Sequence, residues 1–142
     1  YGDFEMKLKE FLPVYFSYEE LENISNEISK GIAYSGNTNQ DEGNGPGDPY
    51  MFEGACYENG NGVCKQIYHV WIDNIEDKVG YLNVDVTFSD GDFNPIKDDV
   101  EYSKEFSHNT GIEKIIAWCD KQIRKNKYFK NMPHVYNGKE LV

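Results

Sequence analysis

A chain of 142 residues with 25 acids against 14 bases carries a formal charge of −11, a length that suits one compact domain and a sign that excludes a generally basic nucleic-acid binder. Hydrophobic residues make up only 39%, yet aromatics reach 15%, so large rings can build the core and global disorder is disfavoured. No apolar run approaches the roughly 18 residues of a membrane span, which excludes a transmembrane helix.

The first twelve residues fit two periods. Phe4, Met6 and Leu8 alternate as in a strand, while Phe4, Leu8, Phe11 and Leu12 share a helix face; so short a window does not separate the two. Pro13 stops a helix there. The next segment is clearer. Ser17 followed by Glu20 makes a capping box, with Phe16 and Leu21 as its hydrophobic staple. Leu21, Ile24, Ile28 and Ile32 recur at helical spacing, so a helix is expected from about 18 to about 33.

Residues 35–49 hold no Leu, Ile, Val or aromatic and are broken by four glycines and two prolines. A long flexible loop is expected there. Strands are expected over 50–58 and 63–72, joined by Asn59-Gly60-Asn61-Gly62, a strong hairpin signal. In the second of these, Ile67, His69 and Trp71 oppose Tyr68, Val70 and Ile72, so both faces are largely apolar and the strand belongs in the middle of a sheet. Residues 81–88 alternate, with Leu82, Val84, Val86 and Phe88 facing a core. A further strand near 99–106 can pair back across the turn at 89–98. Thr110 and Glu113 make a second capping box, ahead of a helix whose stripe is Ile112, Ile115, Ile116, Cys119 and Ile123. The first part of the tail at 128–142 is expected to dock on the body. This order defines a single α+β domain over 1–142: an antiparallel sheet of three to five strands flanked by an N-terminal and a C-terminal helix.

No catalytic signature stands in the chain, and no cofactor is expected. Asp90-Gly-Asp92-Phe-Asn94-Pro-Ile-Lys-Asp98-Asp-Val-Glu101 places oxygens at the ligand positions of a helix–loop–helix calcium loop. Pro95 stands where that loop needs a glycine with positive φ, and the flanks read as strands, so a polar hairpin connection is expected instead. Cys56 and Cys64 flank the Asn-Gly turn. A three-residue loop at 59–61 would set them opposite one another, within reach of a disulfide in an oxidising compartment. The plainer reading is two small residues on the sheet. Cys119 belongs to the core. His69, on a central strand, reads as a satisfied buried histidine rather than as a base for a cysteine nucleophile.

Charge is the strongest functional signal. Residues 17–64 hold nine acids against Lys30 alone, a net of −8; residues 73–105 hold ten acids against three lysines, a net of −7; residues 114–139 reverse to +6. The expected function is therefore that of an acidic, non-enzymatic binding protein. Its partner would be a basic protein surface, and the concrete form is an inhibitor of a nuclease or other nucleic-acid-handling enzyme, with no direct nucleic-acid or membrane contact. The expected contacts are Glu19, Glu20, Glu22 and Glu27 on the first helix, with Asp90, Asp92, Asp98 and Asp99. A secreted ligand- or carbohydrate-binding module is the first alternative, on the strength of eleven tyrosines and the Asn/Gly-rich loops. A hydrolase with a loop-bound metal near Asp90 and Asp92 is the second. Three cysteines, an odd number, favour a cytoplasmic setting, with secretion left open by a chain that begins at Tyr1 rather than Met.

Overall fold

The computed structural model describes residues 15–38, 49–58, 62–97, 100–136 and 139–140. Helix α1 (Tyr18–Ser29) precedes strands β1 (Gly36–Thr38), β2 (Tyr50–Glu58), β3 (Val63–Asn74), β4 (Tyr81–Asp90) and β5 (Tyr102–Ser107). Helix α2 (Ile112–Ile123) and a small hairpin, β6 (Val135–Tyr136) with β7 (Lys139–Glu140), follow. The five long-sheet strands form an antiparallel meander in the order β1-β2-β3-β4-β5. The chain is thus α+β, with one helix before the sheet and one after it. No helix among the described residues is long and apolar enough to cross a membrane.

The start of α1 is the capping box read from the sequence. Ser17 Oγ accepts from the Glu20 amide at 3.1 Å, and Glu20 Oε1 accepts from the Ser17 amide at 3.0 Å. Two amides that the helix itself leaves free are thereby bonded. The helix ends at Ser29, four residues early. Ser35 Oγ lies 2.7 and 2.8 Å from the carbonyl oxygens of Ser29 and Ile32, so a side chain takes over the carbonyls that a further turn would have bonded. Ile32 still reaches the core from this turn. An ideal Cβ on Gly31 would lie 2.7 Å from Ile116 Cγ2, so the glycine lets the end of α1 approach α2.

Helix α2 departs from the expected cap. Its N-cap is Gly111, with no side-chain cap bond, and not Thr110. The Thr110 amide is already bonded to the Ser107 carbonyl at 2.9 Å, which turns the chain one residue before the helix begins. Residues 36–38 leave the expected loop to pair with β2; positions 39–48 of that loop, the 4–12 segment and Asn59–Asn61 lie outside the described residues.

Both helices cover one face of the sheet. Leu21, Ile24 and Ile28 from α1 and Ile112, Ile115, Cys119 and Ile123 from α2 meet Phe52, Tyr68, Val70, Ile72 and the Leu82/Val84/Val86/Phe88 row in one core. That row is the alternation read from the sequence, and β3 is the central strand. The Tyr68 hydroxyl crosses this core to donate to the Ala33 carbonyl at 2.6 Å. The tail docks through Phe129 and Met132, both buried. Arg124 helps hold it, its guanidinium donating to Asp120 Oδ2 at 2.7 Å and to the Met132 carbonyl at 2.7 Å.

Candidate functional site

The opposite face of the sheet carries no helix among the described residues, and β-strand alternation dictates what it presents. Trp71 stands in its centre on β3, with Asp85 of β4 directly opposite on one side and Met51 of β2 on the other. The Trp71 Nε1–H donates to Thr87 Oγ1 at 3.0 Å, which fixes the tilt of the indole. Around the ring the sheet forms a groove of about 630 Å³. Its charged lining is wholly acidic: Asp73, Glu76, Asp85, Glu101 and Glu105. Glu105 pairs with Lys78 at 2.7 Å, both side chains nearly half exposed, so that pair is worth little. Asp73 accepts from the Asn74 amide at 2.8 Å. Asp85 Oδ1 is buried and meets no hydrogen-bond donor among the described residues, an arrangement that a bound donor would relieve.

Beside the groove lies a polar cluster that crosses three strands. His69 Nε2 shares a 2.8 Å hydrogen bond with Ser89 Oγ on β4, and His69 Nδ1 lies 3.6 Å from Glu53 Oε2 on β2. The order serine, histidine, carboxylate is that of a hydrolase relay, but its setting is not. Ser89 is 7% exposed, and its backbone is held by Ile67 in the ladder and by a bridge to Pro95. A nucleophile needs an open approach and donors aimed at the developing oxyanion. The cluster instead ties β2, β3 and β4 together. His69 is buried, as expected of a central strand, but only half satisfied: Nε2 is bonded to Ser89, while Nδ1 meets no hydrogen-bond partner among the described residues.

Burial holds His69 below its ordinary value of 6.5. The unfolded chain therefore takes this proton more readily than the folded one. The resulting stability is fully present above pH 6.5 and is lost as pH falls through 6.5 toward the lower folded value. Between pH 7.5 and 5.5 the melting temperature should fall, and His69→Gln should flatten that slope. Equal slopes in both proteins, measured by calorimetry, would show that His69 contributes none of it.

Over His69 sits Phe93, its ring centroid 6.1 Å away. Phe93 is 63% exposed and adopts φ +65°, a region that costs a bulky residue about 1–2 kcal/mol. Asp90 holds the turn that puts it there: Asp90 Oδ1 accepts from the amides of Asp92 and Asn94, each at 2.9 Å. Phe93 borders a second cavity of about 670 Å³ that also contains Cys56 and Cys64. The two cysteines are free and not opposite one another. A bulge after Cys56 pairs Cys56 with Gln66 and Tyr57 with Cys64. Burial raises the Cys64 thiol above its ordinary value. Cys119 is buried in the core, as read.

The acids singled out in the sequence are dispersed. On α1, Glu19 is exposed, but Glu20 serves the cap, Glu22 accepts from the Tyr50 hydroxyl at 3.1 Å and Glu27 pairs with Lys30 at 2.9 Å. Burial, then the Glu22 bond, pushes the Tyr50 phenol up to about 12. Asp90 is turned into its own loop and Asp92 is exposed; Asp98 and Asp99 lie outside the described residues. The groove carboxylates were missed individually. The signal for them was present: Asp73, Asp85 and Trp71 share a parity that the register of β3 and β4 brings onto one face. No group of three or more His, Cys, Asp or Glu among the described residues is placed to hold a metal ion. No protein-family model, curated protein or solved structure matches this chain.

Proposed function

We propose that this chain is an acidic, non-enzymatic binding protein whose Trp71-bearing sheet face docks on a basic protein surface. Its concrete form is an inhibitor that occupies the phosphate-binding surface of a nuclease or other nucleic-acid-handling enzyme. The observation that carries this reading is the groove around Trp71, an aromatic floor whose charged lining is wholly carboxylate. Carboxylates only accept hydrogen bonds, so the groove suits a partner rich in donors. Enzymes that grip phosphates display such donors as lysine and arginine, and an acidic face competes for them. The α1 acids, mostly committed within the fold, add to the field rather than to the contact.

Steering by charge has a kinetic signature. After capture of a basic partner, its association rate should drop by about tenfold or more from low to physiological salt. Reversing Asp73 and Glu101 to Lys should slow association more than reversing Glu19 and Glu27. The captured enzyme should also lose activity in the complex. A salt-independent association rate, or a partner without a basic surface, would reject the reading. A second reading has one observation in its favour. Asn74, Asn83 and Thr87 also border the groove beside Trp71, and a sugar ring stacked on the indole would find donors and acceptors there. Capture of a glycan would select it.

A further inference from the structure

The groove around Trp71 is more specific than a negative patch. Its floor is an indole whose N–H is already engaged by Thr87, so the ring face is held ready for a ligand and no N–H needs to be redirected. Directly across the strand pair stands Asp85, whose Oδ1 has no donor among the described residues. Rotation about χ2 of an aspartate is soft, so either oxygen can turn toward a ligand over the ring. Asp73 and Glu101 extend the negative lining on either side.

We infer that this groove takes one arginine side chain of the protein partner, its guanidinium lying flat on Trp71 and its N–H edge on the Asp85 carboxylate. The inference rests on the binding-protein reading and names what that reading leaves general. A guanidinium satisfies both features at once: its plane stacks on an aromatic face while its edge presents paired donors to a carboxylate. An ammonium is a compact, strongly hydrated charge that does neither as well. Residues 1–142 do not supply that arginine. This chain has a single arginine, Arg124, and that one is committed to Asp120 and to the carbonyls of the tail. Neither residues 1–142 nor a second copy of them can supply one without undoing that anchor.

Hexaarginine and hexalysine, equal in formal charge, are the probes. The chain has two tryptophans, so the ¹⁵N-labelled protein shows two indole signals, and Trp71→Phe assigns them. Hexaarginine should bind about fivefold or more tighter than hexalysine and should move the Trp71 indole signal while leaving that of Trp118 in place. Asp85→Asn should bring hexaarginine down to the hexalysine level. Thr87→Val, which frees the indole without touching a charge, should shrink the preference while hexalysine binding is kept. Equal affinities, with both peptides shifting β3 and β4 amides in a salt-dependent way, would overturn the arginine assignment and leave the basic-partner reading standing. Absence of binding by either peptide at low salt would overturn both. Movement of the Trp71 signal by a neutral oligosaccharide alone would overturn both in favour of the sugar reading.

Discussion

Gly54→Ala should cost about 3 kcal/mol or more, enough to remove a large part of the stability of a domain this size. Gly54 sits in β2 opposite Tyr68. A Cβ there would collide with the backbone carbonyl oxygen of Tyr34 and would lie 2.5 Å from two ring carbons of Tyr68. Neither neighbour can give way cheaply. Tyr68 is fully buried with its hydroxyl bonded to Ala33, and Tyr34 already adopts φ +56°. Urea denaturation should show a large fall in midpoint. Gly36→Ala is the control, because a Cβ at Gly36 meets nothing within 4 Å. Comparable midpoints for the two variants would mean that the turn at Tyr34 is far more pliable than its packing implies.

Phe129→Ala should be of similar severity, about 3–5 kcal/mol. Phe129 belongs to no helix or strand, yet it is completely buried. Its ring meets Tyr68 edge-on at 5.2 Å and stacks near Phe88 at 6.2 Å. Removing it empties a space bounded by rings of β3 and β4, whose positions are fixed by the sheet, so little of the void can collapse. It also takes away the pin that fastens the segment after α2 to the core. Hydrogen exchange should then show amides of residues 126–132 opening before those of β3 and β4. Tyr128→Ala, only half-buried, should cost much less; a reversed ranking in equilibrium unfolding would show that the tail is held by other contacts.

The two helices and the four longer strands were legible because each rests on a local pattern. The Ser17/Glu20 cap and the Leu82-to-Phe88 alternation involve residues a few positions apart, and burial on one side enforces them. Thr110 misled because its amide was claimed by Ser107, a competition that residue types do not reveal. Three-residue β1 carries no apolar alternation; it is a strand only because β2 offers it a free edge. The groove was the least legible part. Trp71, Asp85 and Thr87 are separated by up to sixteen positions, and the register between β3 and β4 decides which carboxylate stands across from the indole. Charge counting placed the weight on α1, where three of four acids turn out to serve the fold.

The outer strands also bear on how this chain behaves in crowded solution. A sheet that does not close on itself has two margins, and a bare margin is a template for pairing with a neighbour. Here β5 is six residues long and carries Ser103, Lys104 and Glu105 in exposed succession. A second molecule laying its own β5 alongside in antiparallel fashion would have to bring charged, hydrated side chains into the seam in whatever alignment it chose, and like charges would meet in several of those alignments. Lys104 and Glu105 at this rim thus work against the stacking of identical molecules into ribbons.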